Sequence, residues 1–175
     1  MEFRRIKDVE FDEFYDLLEE AFPFVERKTK ACLFLDVKNS NNFYPCFICD
    51  DDNNKIGLIS YWNFGDFIFA EHLAIFKNLR NKTLGTQAFS EFLKSFDIPI
   101  IFEVEKPYDE LSKRRIDFYK RIGIIFNDFS YFQPSYHGGD DCVPMLIASY
   151  PKPINKNDYN YYTKIIKKNV YNLNS

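Results

Sequence analysis

The run Phe69-Ala70-Glu71-His72-Leu73-Ala74-Ile75, then Phe76-Lys77-Asn78-Leu79, then Arg80-Asn81-Lys82-Thr83-Leu84-Gly85-Thr86, changes its period midway. Before Arg80 it is apolar and strand-like. Beyond it, Leu84, Ala88, Phe92 and Phe96 recur four apart, one helix face packed on a sheet. The whole reads as a strand, a short loop and a helix N-terminus. Such a start presents backbone N–H groups without intrahelical partners at the positive end of a helix dipole. Those donors suit a phosphate or pyrophosphate. Gly85 lets the backbone approach a ligand closely, and Arg80 and Lys82 add positive charge.

Upstream, residues 3–6 read as a short first strand. Phe11, Phe14, Leu18, Ala21 and Phe22 follow at helical spacing, and Pro23 stops that helix. Residues 28–37 fit a second, shorter helix, and 39–42 a polar turn. Strands over 44–49 and 56–63 flank a polar hairpin connection, and 67–76 completes an antiparallel meander. Downstream come a strand over 98–104 and an amphipathic helix over 110–122, with Leu111, Arg115, Phe118 and Ile122 on one side and Gly123 ending it. Strands over 124–132 and 143–150 flank a loop holding Gly138-Gly139-Asp140-Asp141. A last helix covers 158–171; its Tyr159, Tyr162, Ile166 and Val170 face suits capping the domain more than pairing two subunits. The order is α/β (α+β). It excludes a doubly wound nucleotide fold, which needs regular βαβ alternation and an early Gly-rich turn. The expected organisation is one domain over 1–153 and a helical extension over 154–175 packed on it.

With these elements in place, Arg80 to Thr86 resembles the acetyl-CoA pyrophosphate loop of the GNAT superfamily, usually Arg/Gln-x-x-Gly-x-Gly/Ala. Arg80 and Gly85 match; Thr83 stands where the first glycine is usual, and Asn81 where many members carry another. Arg114 to Gly123 resembles the family's later helix, commonly ending Phe-Tyr-x-x-x-Gly-Phe. Chain order, strand number and both motifs agree over roughly residues 3–150. The segments 103–123 and 133–149 are similar to those of a bacterial subgroup with a short C-terminal helix.

The resemblance implies a central mixed, mostly antiparallel sheet flanked by helices. It also implies an N-acetyltransferase that moves an acetyl group from acetyl-CoA to a primary amine by direct attack in a ternary complex. By the same resemblance, the backbone of Leu73, Ala74 and Ile75 holds the pantetheine arm and polarises the thioester carbonyl. Arg80, Asn81, Lys82, Thr83, Leu84, Gly85 and Thr86 form the pyrophosphate loop, and Tyr119 protonates the leaving thiolate. Glu71 is the candidate base, directly or through water, with His72 the alternative. A regular strand points these two to opposite faces, and a bulge would change that. Asp140 and Asp141 are candidates for attracting a cationic acceptor; His137 reads as exposed. Three other readings remain open: a non-catalytic acyl-CoA-binding protein of this fold, a protein Lys or N-terminal acetyltransferase, and an unrelated α+β interaction domain.

Composition narrows the classes further. The net charge of the 175 residues is −3, and the basic clusters (Arg4-Arg5, Lys113-Arg114-Arg115, Lys167-Lys168) are short, so no nucleic-acid partner is expected. No stretch approaches the ~18–20 apolar residues of a membrane span. The N-terminus lacks a signal peptide's apolar core, so a cytoplasmic protein is expected. The 20 Phe and 12 Tyr fit a nucleotide bias as well as a function and are given no functional weight. Cys46 and Cys49 form a C-x-x-C on a strand, where residues three apart face opposite ways, so buried reduced thiols are expected and no metal. The expected partner is a small-molecule amine acceptor; monomer and homodimer are both open.

Overall fold

The computed structural model describes residues 1–80, 83–139 and 142–173. The chain forms two compact units, Met1–Asp97 and Ile98–Ser175.

In the first unit, β1 (Glu2–Arg5), β2 (Phe43–Cys49), β3 (Lys55–Asn63) and β4 (Ile68–Ile75) pair in that order, each antiparallel to the next. Helix α1 (Phe11–Ala21) buries Phe11, Phe14, Tyr15, Leu17 and Leu18, with Phe14 edge-on to Phe47 of β2. Its predicted stop at Pro23 holds: Phe22 is already extended. Helix α2 (Lys30–Asn39) starts where the Thr29 hydroxyl accepts the Cys32 N–H, and only Leu33 of its residues is buried. Helix α3 (Leu84–Lys94) buries Ala88, Phe89, Phe92 and Leu93. Phe92 packs on Phe3 and Tyr61.

Two local devices set the meander's register. At the β2–β3 turn the Asp50 carboxylate accepts the N–H groups of Asp52 and Asn54, and Asn53 takes φ 62°, a conformation asparagine tolerates. Gly57 of β3 pairs with Ile75 of β4, and a Cβ there would lie 2.2 Å from the Ala74 carbonyl oxygen. Only glycine permits so close an approach. Cys46 and Cys49 are free and buried, as the sequence suggested. Burial pushes the Cys46 thiol up to about 12, so it is not a thiolate near neutrality.

In the second unit β7 (Val143–Tyr150) lies between β5 (Ile100–Glu105) and β6 (Ile125–Gln133), antiparallel to both. Helix α4 (Glu110–Arg121) opens with a reciprocal cap between Asp109 and Ser112 and ends before Gly123 at φ 88°. Helix α5 (Lys156–Asn169) is capped by Asn155, whose side chain accepts two backbone N–H groups. It buries Tyr159, Tyr162, Thr163 and Ile166. Tyr159 stacks on Phe129 of β6 at 4.5 Å and donates to the Ser130 carbonyl. The expected elements are all present, with ends shifted by up to two residues. Short 3-10 turns at Asp8–Glu10, Phe24–Glu26 and Lys77–Leu79 were not anticipated, because three residues carry no period. Among the described residues, no helix is long and apolar enough to cross a membrane.

The Gly57 approach yields a test of the β3–β4 pairing. Gly57→Ala is expected to destabilise the chain by about 3 kcal/mol. Its thermal midpoint should then fall by about 10 °C.

Candidate active site

The β3–β4 ladder contains one extra residue. Leu73 pairs with Ile59 and His72 with Ser60, but Tyr61 pairs with Ala70, so Glu71 is a bulge. A bulge breaks the alternation of faces. Glu71 and His72 therefore do not diverge as they would on a regular strand: both side chains are buried, 1% and 3% exposed, with 4.0 Å between Glu71 Oε2 and His72 Nδ1.

Their partners distinguish them. His72 Nε2 lies 2.9 Å from the Glu26 carbonyl oxygen, and Nδ1 lies 3.1 Å from the Ser60 hydroxyl. A carbonyl only accepts, so Nε2 donates to it, while Nδ1 is hydrogen-bonded to the Ser60 hydroxyl. The ring ties β4 to the connector between α1 and α2. Glu71 instead receives the Trp62 indole N–H on Oε2 at 2.9 Å. Beside them, the buried Lys28 ammonium lies 2.5 Å from Asp36 and 5.0 Å from the Trp62 ring centre. Burial pushes the Asp36 carboxyl up, with the Glu71 charge adding and Lys28 opposing. Sequence reading had not singled out Ser60, Trp62, Lys28 and Asp36. They sit in three segments, Ser60 and Trp62 on β3, Asp36 on α2 and Lys28 in the connector before it, so only a polar residue amid apolar neighbours, as at Ser60, gave a hint.

Beyond Ile75 the chain turns through Lys77–Leu79 to Arg80. Arg80 donates Nε–H to the Ile75 carbonyl at 2.9 Å and pairs with Glu20 of α1 at 2.8 Å. Thr83 stands at the N-cap of α3 with φ 60° and ψ −2°, the left-handed conformation that glycine adopts readily. It is also the position where the resemblance expects glycine. The Thr83 side chain makes no cap hydrogen bond, whereas Thr29, Asp109 and Asn155 cap α2, α4 and α5. Leu84, Gly85 and Thr86 form the first turn of α3, whose N–H groups point away from the helix body. A Cβ on Gly85 would only just reach Ile75, at 3.4 Å, so the fold itself does not demand glycine there. Three backbone donors at a dipole's positive end, with Arg80 adjacent and 39% exposed, fit a pyrophosphate. Asn81 and Lys82 lie outside the described residues.

In the second unit the Tyr119 ring sits among Phe102, Phe118 and Phe126, at 5.7, 5.3 and 6.4 Å. Burial raises its phenol above the ordinary range, with Arg115 pulling weakly the other way. The hydroxyl therefore stays protonated and can donate. Glu103 of β5, also missed from sequence, accepts from Tyr131, from Gln133 at 2.7 Å and from Tyr171 at 2.6 Å. This network anchors the segment after α5. His137 is exposed, as expected, and its backbone N–H donates to the Ser135 hydroxyl. Asp140 and Asp141 lie outside the described residues. Among the described residues, no group of three His, Cys, Asp or Glu is arranged to hold a metal.

No protein-family model matches the chain. A solved GNAT-family protein of Bacteroides thetaiotaomicron, described as a proposed acetyltransferase, is 33% identical with a TM-score of 0.93, covering 99% of this chain and 100% of that one. The chain belongs to the GNAT family of acetyltransferases. It is also 33% identical over 110 residues to the proposed acetyltransferase YjbC of Bacillus subtilis, over 61% of this chain and 54% of that protein. The chain thus spans about half the length of that curated relative. Two more distant structures share the fold alone. One is an aminoglycoside 6'-N-acetyltransferase with coenzyme A (15% identity, TM-score 0.58, 89% of this chain and 100% of that one). The other is spermidine N-acetyltransferase of Vibrio cholerae with CoA and spermine (14%, TM-score 0.59, 85% and 93%).

The left-handed threonine gives a stability test. Thr83→Gly is expected to stabilise the chain by about 1 kcal/mol, because a β-branched residue in that conformation costs about 1–2 kcal/mol. The thermal midpoint should rise by about 2–4 °C. Thr83→Ala, still an L-residue with a Cβ, should gain much less.

Proposed function

We propose that the chain is an acetyl-CoA-dependent N-acetyltransferase acting on the primary amine of a small molecule. The observation that carries this is the first turn of α3, opened by a left-handed Thr83 without a side-chain cap and following a bulged β4. In a chain of this family, that turn is a receptor for the pyrophosphate of acetyl-CoA. Leu84, Gly85 and Thr86 supply N–H donors, and Arg80 supplies charge, with Asn81 and Lys82 completing the loop.

Acetyl-CoA brings the activated acetyl group. The chain's residues supply proton transfer and polarisation. The N–H groups of Leu73, Ala74 and Ile75 polarise the thioester carbonyl as the amine nitrogen attacks its carbon. The carbon–sulfur bond then breaks, the Tyr119 hydroxyl gives its proton to the sulfur, and the proton shed by the new amide nitrogen restores the phenol. Glu71 takes the acceptor ammonium's proton, through a water because its carboxylate is enclosed. His72 is the weaker base, since its Nε2 already holds the Glu26 carbonyl of the connector and its Nδ1 the Ser60 hydroxyl of β3. Asp140 and Asp141 remain proposed acceptor contacts. A second reading is a polypeptide acceptor. The exposed apolar side chains Phe24 (54%), Val25, Phe34 and Leu35 favour it, because exposed apolar surface suits a docking chain.

The test is thermal unfolding with acetyl-CoA. At ~100 times its dissociation constant the ligand should add about 2.7 kcal/mol, and the midpoint should rise by about 5–10 °C. Gly85→Val should abolish the shift while leaving the unliganded midpoint within a few degrees. Tyr119→Phe should keep the shift but lower kcat about 10²-fold. No shift at millimolar acetyl-CoA, together with no transfer to any amine, would sink the proposal.

Arg80 provides a separate check. Its pairing with Glu20 competes with an incoming phosphate. Glu20→Gln removes an exposed pair worth roughly 0.2–1 kcal/mol. Titration calorimetry should therefore show acetyl-CoA binding about 1.5- to 5-fold tighter, with the gain shrinking at high salt.

A further inference from the structure

A carboxylate beside an aromatic face is the usual receptor for an organic ammonium. The first unit holds such a receptor, and the chain's own lysine fills it. The Lys28 side chain is 4% exposed. Its Nζ lies 2.5 Å from Asp36 Oδ2 and 5.0 Å from the centre of the Trp62 ring. The same indole donates its N–H to Glu71 at 2.9 Å. One ring therefore floors the ammonium seat and tethers the carboxylate proposed to receive the acceptor's proton.

The backbone that delivers Lys28 is held at three points. Arg27 Nε donates to the Phe22 carbonyl at 3.1 Å, the His72 ring to the Glu26 carbonyl at 2.9 Å, and the Tyr15 hydroxyl to the Lys28 carbonyl at 3.2 Å. Arg27 also bonds the Tyr15 hydroxyl and Glu19. This connector has little freedom to withdraw its lysine. An acceptor carrying a second ammonium meets a like charge at the seat that would otherwise bind it.

We propose that Lys28 is a specificity-determining residue: it fills the cation seat beside Glu71, so the acceptors are monoamines, and diamines and polyamines are turned away. This rests on the reading of Glu71 as the base. Rejection by an internal charge is a common route to selectivity, since the unwanted partner is penalised and the wanted one is not.

The experiment compares n-butylamine with 1,4-diaminobutane, which differ in one terminal ammonium. For the wild-type chain, kcat/KM is expected to be at least about tenfold higher for n-butylamine; the reverse order overturns the proposal. Lys28→Ala opens the seat, and the diamine-to-monoamine ratio of kcat/KM should rise at least about tenfold, chiefly through KM. An unchanged ratio in a folded Lys28→Ala also overturns it. The double variant Lys28→Met with Asp36→Asn fills the space and removes both charges, so it should show no gain for the diamine. A binding readout stands apart from catalysis: 1,4-diaminobutane should raise the thermal midpoint of Lys28→Ala saturably and leave that of the wild type unmoved. If Lys28→Ala folds only with the diamine present, the seat is supported; if it folds in neither case, the wild-type preference decides. Glu71→Gln separates the two readings. Full activity in that variant refutes Glu71 as the base, while the midpoint measurement still tests the seat.

Discussion

The pairing of β3 with β4 is the constraint on which the first unit depends. It is close enough at Gly57 to exclude a Cβ, and it absorbs one extra residue at Glu71. The close approach fixes the register. Within a fixed register, the extra residue has to be accommodated by turning two successive side chains the same way. Glu71 and His72 are thereby both buried, and a charged or polar group so placed needs partners. Trp62 and Ser60 on the facing strand supply them, and the Glu26 carbonyl supplies another. The tether between β4 and the α1–α2 connector is thus a consequence of the bulge.

Charge placement follows from the same geometry. Burying a carboxylate is tolerated when cations and donors surround it, and the connector brings Lys28 to Asp36. Breaking the Lys28–Asp36 pair on one side only leaves a buried charge, which costs more than the pair itself contributes. The Arg80–Glu20 pair is different: both partners are nearly half exposed, so it is weak and exchangeable. The first unit therefore combines a rigid cationic interior, near the proposed base, with a replaceable cationic contact at the helix terminus suited to phosphate. In the second unit the same low dielectric acts on a neutral group. Burial among aromatic rings keeps Tyr119 a phenol, the form that can give up a proton.

Much of the architecture was legible in the sequence because it is periodic. The α1 face at Phe11, Phe14 and Leu18 and the α3 face at Ala88 and Phe92 repeat at helical spacing, and those residues are buried. Stops at Pro23 and Gly123 are properties of single residues, and they too were readable. The bulge was not, because one unpaired residue leaves the apolar pattern of β4 intact and shifts only its facing. Nor was the Lys28–Asp36–Trp62 grouping, which joins a connector, a helix and a strand across the sequence. The same holds for Glu103, whose three donors come from β6 and from the segment after α5. Tertiary polar networks have no period, so sequence pattern names their members only by chance.

Thr83 shows how a departure from a family pattern and a conformation can agree. The resemblance to the family's loop places glycine at this position; the backbone there adopts glycine's conformation with a threonine in place. Local strain of this kind is retained only where the surrounding structure over-determines it. Here the determinants are the turn at Lys77–Leu79, the Arg80 bond to the Ile75 carbonyl, and the packing of α3 through Phe89 and Phe92. Together they fix where α3 begins and which way its first N–H groups point. The strain at Thr83 is thus held in place by tertiary contacts instead of being relieved by a glycine.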